Sequence, residues 1–249
     1  MKVSIPSSLQ DITLEQFQTL VALDDDINER DLDIEKVKIF IGLTDEQIDS
    51  ISESDFKDLV LAIDEALNKP SEFQQRFKMN GVLFGFHPNL DKMLTGEYVD
   101  LMNYNSEPET LHKLMSILFR PITTKDLSGN YKIAKYEGSE TWCEIMKQTP
   151  LHIVNGALIF FFEFVERTSD KYPEIFNGSG TSEGKQASDF WFKWGWYATI
   201  VELASNDLLK INEVLEMQAN EMLLFLAHKL DRAKLEASLR KPNSNVTQL

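Results

Sequence analysis

Helical periodicity most restricts the fold of this chain, and it is clearest in the first 70 residues. Thr13 and Gln16 fit the capping-box pattern, in which a hydroxyl and a side chain three residues later each bond a backbone N–H at a helix start. Thr44 and Gln47 repeat the pattern. Apolar residues follow both boxes at intervals of three and four, as on one face of a helix. The pattern predicts an acidic bundle of four short helices that Pro70 ends, at residues 13–23, 33–41, 44–51 and 54–68.

The hydrophobic period changes around Asn80-Gly81. This pair readily supplies the two positive φ angles of a type I′ turn, which makes it the best hairpin signal in the chain. The flanking segments 73–78 and 82–86 are therefore predicted to be strands. A second strand pair is expected between residues 122 and 136, with its turn at 128–130.

Helical signals cover most of the remaining sequence. Pro108 stands at the first position of a predicted helix, where its missing N–H costs nothing, and Arg120-Pro121 ends that helix. Further helices are predicted to start at Thr95, around Trp142, from Pro150 to about Tyr172, and at residues 188–204 and 212–240.

These patterns predict a mainly α (α+β) fold, a multi-helix bundle with one or two small β-hairpins. The chain divides by pattern into an acidic helical region at 1–70, a hairpin and helix region at 71–138, and a helical region at 139–249. One continuous domain is the alternative.

The charge of the chain argues against a nucleic-acid binder. There are 40 Asp and Glu residues against 25 Lys and Arg, a formal net charge of −15. Affinity for a phosphate backbone depends on clustered cations, so sequence-specific binding of nucleic acid is not expected. The charge is also uneven: residues 1–70 hold 17 acidic and 6 basic residues, whereas residues 228–241 hold two acidic and five basic ones.

The cysteine content and the hydropathy of the sequence argue against a disulfide-stabilised secreted domain and against a membrane-spanning protein. Cys143 is the only cysteine, so no intrachain disulfide can form and a reducing compartment is expected. The first residues lack the apolar run of a signal peptide. The most apolar window, residues 151–165, is too short and too polar to span a bilayer of roughly 30 Å, so no membrane association is expected.

Two loop motifs come close to ligand-binding patterns and fail. The Gly-rich segment 178–185 does not match a phosphate-binding loop, because Ser179 and Gln186 stand where that motif needs Gly and a hydroxyl residue. Asp24, Asp26, Asn28 and Glu35 occupy positions 1, 3, 5 and 12 of a calcium-loop frame. However, Glu29 replaces the Gly at its sharp turn. Acidic helix caps in a solvated linker explain the same residues.

Catalytic and metal patterns are incomplete as well. Glu109 and His112 form one Glu-x-x-His pair, whereas a di-iron bundle needs two such pairs and two further carboxylates. Cys143 is interpreted as a small core residue, since a lone cysteine is more often that than a catalytic thiolate. No catalytic residue, metal ligand or cofactor is therefore expected, and the protein is predicted not to be an enzyme.

Aromatic residues crowd two helical segments. Phe160, Phe161, Phe162 and Phe164 cover most sides of one helix, and a second cluster lies within residues 190–197. Helices that are apolar all round are either central in a large bundle or covered by a partner. Both interpretations stay open here. The candidate interface residues are Trp191, Trp194, Trp196 and Tyr197, with Arg232 and Lys234 as a basic surface and Asp24, Asp25 and Asp26 as an acidic one.

The middle of the sequence resembles structural-module proteins of tailed bacteriophages, in the podovirus-like and crAss-like group. The similarity covers roughly residues 73–165. The segments that carry it are Phe84-Gly-Phe86, Leu90 to Leu94, Thr95-Gly-Glu-Tyr-Val-Asp-Leu101, Leu111-His-Lys-Leu-Met-Ser-Ile-Leu118, Phe119-Arg-Pro-Ile122, Asn155-Gly-Ala and Phe160-Phe161-Phe162.

The resemblance implies a virion protein that is assembled in the host cytoplasm. Such a protein would be a ring or head-tail connector subunit of a phage neck or tail. It would bind neighbouring copies and other neck, tail or portal proteins, with at most passive contact with translocating DNA. A tail assembly chaperone that is absent from the mature particle is the alternative within virus assembly. A soluble enzyme with unrecognised carboxylates is the alternative of another class.

Overall fold

The computed structural model describes residues 4–176 and 185–240, apart from the side chains of residues 185–192 and Arg240. Its mainly α (α+β) architecture confirms the predicted fold class. The elements of the described chain are α1 Leu14–Val21, α2 Glu29–Ile41, α3 Asp45–Ser50, α4 Glu53–Leu67, β1 Arg76–Met79, β2 Val82–Phe86, α5 Thr95–Tyr104, α6 Leu111–Leu118, β3 Phe119–Lys125, β4 Tyr131–Ile133, α7 Cys143–Met146, α8 Leu151–Lys171, α9 Pro173–Phe176, α10 Lys185–Leu203, α11 Ile211–Glu216 and α12 Ala219–Arg240. Short 3₁₀ turns join several of them.

The capping signals of the N-terminal region are confirmed. Thr13 and Gln16 form a complete capping box at the start of α1, and Thr44 and Gln47 form another at the start of α3. Asn28 caps α2, because its Oδ1 accepts a hydrogen bond of 3.0 Å from the backbone N–H of Asp31. The loop whose sequence partly matches a calcium-binding loop therefore contains a helix cap.

The four strands form one antiparallel sheet in the order β1-β2-β3-β4. Asn80 and Gly81 have φ angles of 50° and 81°, which confirms the predicted turn between β1 and β2. The second hairpin is confirmed too, although β3 already begins at Phe119, directly after α6. Gly85 allows this sheet to pack closely, since a Cβ there would lie 2.5 Å from the Tyr131 ring.

The described residues divide into two compact units. Unit 1 comprises residues 4–88 and 100–162, and unit 2 comprises residues 89–99, 163–176 and 185–240. Each unit is thus built from separate stretches of chain. The division at residues 70 and 138 that the sequence pattern suggests stays a prediction.

Unit 1 contains the sheet and the four N-terminal helices. Nearly all of α6 is buried, and an aromatic cluster of Phe77, Phe84, Phe86 and Phe119 lies beside it. The first part of α8 packs against the chain at residue 72. Gly156 permits this approach, because a Cβ there would lie 2.6 Å from the Glu72 carbonyl oxygen.

The prediction of one long helix at 212–240 is wrong, because unit 2 has two helices there, α11 and α12. The chain leaves the helix at Met217, where ψ is 160°, and α12 begins two residues later. The backbone N–H of Thr95 donates to Met217 O at 2.8 Å, and that of Ala219 donates to Met93 O at 2.9 Å. This strand-like pairing interrupts the helix, although apolar residues recur in the sequence at helical intervals before and after Met217.

The aromatic helix predicted at 188–204 is also interrupted. Gly195 within α10 has φ 42° and ψ −128°, a conformation that favours glycine and breaks the helical path. Side chains before and after Gly195 therefore do not follow one helical wheel. The part after the break packs on a core of Val99, Ile200, Ala204 and Val214.

Candidate interaction surfaces

The break at Gly195 separates the aromatic residues of α10 by environment. Trp194 and Tyr197 are 42% and 49% exposed, and their ring centroids lie 5.8 Å apart. The Lys193 ammonium lies 5.0 Å from the Trp194 ring centroid. These two rings form an exposed apolar patch with a cation at its edge.

Trp196 belongs to the core of unit 2. It packs against the buried cluster around Val99 and Ile200, and its ring meets Tyr98 edge to face at 5.6 Å. Tyr98 is almost fully buried, and this burial raises the pKa of its phenol. Of the four predicted aromatic interface residues, Trp194 and Tyr197 are thus exposed at the surface, and Trp196 is partly buried against the core. The Trp191 side chain lies outside the described residues.

Helix α12 is apolar on two opposite faces. Its buried face ends at Ala227, and every residue from 228 to 239 is exposed. A second row, here called the α12 stripe, lies about 180° around the helix, as a rotation of about 100° per residue implies. The side chains of the stripe are between 56% and 77% exposed, and they are Leu224, Phe225, Leu235 and Leu239.

The α12 stripe is absent from the predicted interface residues, although the sequence contains a signal for it. The sequence predicts one amphipathic helix over residues 212–240, with the apolar positions taken together. A helical wheel of residues 219–240 alone separates them into two faces. The separation does not depend on where α12 begins, because the angle between two residues on a helical wheel depends only on their spacing in the sequence.

The predicted charged surfaces lie in different units. Asp24, Asp25 and Asp26 are exposed in the loop between α1 and α2 of unit 1. Arg232 and Lys234 lie on α12 of unit 2. There they pair with carboxylates of the same helix, Arg232 with Glu236 at 3.0 Å and Lys234 with Asp231 at 3.7 Å. The basic end of the chain is therefore partly neutralised within α12.

Unit 2 also contains a cavity of about 260 Å³ beside the start of α12. Its polar groups bond one another. Arg167 pairs with Asp91 at 3.2 Å, and Asn220 Oδ1 accepts from Lys171 at 2.8 Å and from the Tyr172 hydroxyl at 2.6 Å. Because these polar groups are paired with one another, their presence in the cavity does not require a bound ligand.

In unit 1, three potential metal ligands lie together on α6 and α7. One donor atom each from His112, Cys143 and Glu144 lies within 4.8 Å of the other two. Burial lowers the pKa of His112, with Lys147 adding to the effect. Burial also raises the pKa of the Cys143 thiol, as does its hydrogen bond to Glu140. At neutral pH these two groups are therefore an uncharged imidazole and a protonated thiol.

In the sequence, His112 belongs to an incomplete di-iron motif, and Cys143 is interpreted as a lone core cysteine. Glu109, the partner that the motif suggested for His112, is not in the cluster. Thirty residues separate His112 from Cys143 in the chain, which gives no spacing pattern, so only the fold reveals the group.

Comparison of the chain with protein-family models, curated proteins and solved structures finds no match. Within the described part of the chain, no helix is both long and apolar enough to cross a membrane.

Proposed function

We propose that the chain is a non-enzymatic structural subunit that binds neighbouring copies of itself, as a ring or head-tail connector subunit of a phage neck or tail. The α12 stripe is the observation that carries this proposal. Four large apolar side chains of α12 face solvent, and only the part of the helix up to Ala227 has its opposite side packed. Exposed apolar surface is typical of protein interaction sites, and here it forms two groups that His228, Asp231 and Arg232 separate along the helix.

The energetics of α12 favour a partner. Residues 228–239 form a helical segment with no covered face, and isolated helices shorter than about 12 residues are marginal in water. Full burial of a leucine or phenylalanine stabilises an association by about 1.5 to 3 kcal/mol. Covering the stripe would therefore stabilise both the helix and the contact.

A second copy of this chain is the partner that we favour. Trp194 and Tyr197 add a second exposed apolar patch to the same unit. Two different patches on one subunit suit a heterologous contact, which generates a ring when its rotation closes. The excess acid of residues 1–70 adds a complementary charge for the cationic side chains of residues 228–241.

The assignment to a phage neck or tail rests on the resemblance of residues 73–165. It is supported by the type of surface described above, because a ring subunit needs lateral contacts and no reaction centre. Other neck, tail or portal proteins would be its further partners.

Mass spectrometry of purified particles of the encoding phage tests the assignment. A ring subunit is expected in every particle, in a fixed ratio to the portal protein. An assembly chaperone would be present in the infected-cell lysate and absent from purified particles. That second result would contradict the virion assignment and favour the chaperone.

A further inference from the structure

The cluster on α6 and α7 has the donor chemistry of a transition-metal site. We propose that His112, Cys143 and Glu144 bind a divalent ion of the zinc class and hold α6 to α7. This proposal goes beyond the proposed structural function and departs from the expectation of no metal ligand.

The donor set selects the metal. Imidazole nitrogen, thiolate sulfur and carboxylate oxygen are the three ligand types of protein-bound Zn²⁺. Mg²⁺ and Ca²⁺ take oxygen ligands and do not favour a thiolate. Cys143 is 3% exposed, so its sulfur is held in place by packing, and His112 is half-buried.

The distances suit a tetrahedral ion after small side-chain movements. Zinc bonds of 2.0 to 2.3 Å place ligand atoms roughly 3.3 to 3.8 Å apart. The donor atoms of the three residues lie within 4.8 Å of one another, so each has about 1 Å or less to move. Glu144 has the freedom to move, because it is exposed and its other contact is an ion pair of 2.7 Å with Lys147. An exposed pair of this kind contributes little to stability.

Three protein ligands leave the fourth position of a tetrahedron to water. Glu140 lies next to the site, with its Oε2 3.5 Å from Cys143 Sγ and its Oε1 2.7 Å from Lys113 Nζ. It is not one of the three clustered donors. Glu140→Gln therefore removes the same charge as Glu144→Gln without removing a proposed ligand, which makes it a matched control.

Cobalt and zinc titrations of the tag-free full-length chain, treated first with a chelator, test the proposal. Co²⁺ should produce a near-ultraviolet thiolate charge-transfer band that saturates at one ion per chain, and Zn²⁺ should abolish it. Cys143→Ser should lose the band. Glu144→Gln and His112→Gln should weaken zinc binding about 10-fold or more, whereas Glu140→Gln should change it less than about threefold.

Circular dichroism of each variant establishes that it is folded. Glu144→Gln keeps the test decisive if Cys143→Ser does not fold, because residue 144 is exposed. Absence of the band in the folded wild-type chain would overturn the proposal. So would a band that persists in Cys143→Ser, or equal weakening by Glu140→Gln and Glu144→Gln.

Discussion

Individual glycines show how single residues determine contacts in this fold. Gly156 lies in α8 with the Glu72 carbonyl oxygen 2.6 Å from the position a Cβ would take. Gly96 lies in α5, where a Cβ would lie 3.6 Å from its nearest neighbour, an ordinary contact. Both residues have the low helix propensity of glycine, but only Gly156 has a steric reason to be glycine.

Alanine substitution at the two glycines is expected to have opposite effects. Gly156→Ala should lower the free energy of unfolding by about 1 to 3 kcal/mol, because the backbone at Glu72 must move to make room. Gly96→Ala should be neutral or stabilise by up to about 1 kcal/mol through helix propensity. Urea denaturation of both variants measures the difference. Equal effects would show that the contact at Glu72 imposes no steric limit.

At the scale of elements, the sequence predicted the helix caps, turns and helix ends that depend only on neighbouring residues. Both capping boxes, the turn at Asn80-Gly81 and the end of α6 before Arg120-Pro121 depend on neighbouring residues, and the structure has all of them. The interruption at Met217 was not predictable, because it results from pairing with residues more than 120 positions earlier. The metal-ligand cluster and the change of environment at Gly195 likewise depend on contacts that only the fold creates.

Helix α12 is expected to gain order when the protein associates. Backbone amides of residues 228–239 should exchange with deuterium quickly at low protein concentration and more slowly at high concentration, since a partner would cover the α12 stripe. Amides of residues 222–227, which lie in the packed part of the helix, should show no such change. The measurement is hydrogen-deuterium exchange by mass spectrometry at several concentrations.

A double substitution provides the control for this exchange experiment. Leu235→Glu with Leu239→Glu should remove the concentration dependence, because it places charges in the stripe. Ala233→Glu with Ala237→Glu adds the same two charges on the opposite side of the helix and should retain it. Exchange that does not depend on concentration in the wild-type chain would contradict a role for α12 in association.

At the scale of the whole molecule, the acidic and basic ends of the sequence remain a prediction about how copies meet. Arg232 and Lys234 each pair within α12, so the charges there are less available than the sequence alone suggests. The exposed apolar surface of unit 2 consequently carries more of the association energy in this account than charge does. Charge would then contribute mainly to orientation and to the rate of encounter.

We propose that copies of this chain associate through exposed apolar side chains of unit 2. Trp194 and Trp196 offer the most direct comparison, because they are two residues apart, Trp194 is exposed and Trp196 is partly buried against the core. Trp194→Glu should change the free energy of unfolding by no more than about 1 kcal/mol. Trp196→Glu should lower it by about 3 kcal/mol or more, through lost core packing and a charge placed among apolar groups.

Sedimentation equilibrium of the wild-type chain and of folded Trp194→Glu tests this claim. The wild-type chain should form a defined oligomer as its concentration rises. Trp194→Glu should stay folded by circular dichroism and shift the association to at least about tenfold higher concentration, equivalent to 1.4 kcal/mol. A wild-type chain that remains monomeric at every concentration, or a folded Trp194→Glu variant that associates as the wild type does, would contradict the account.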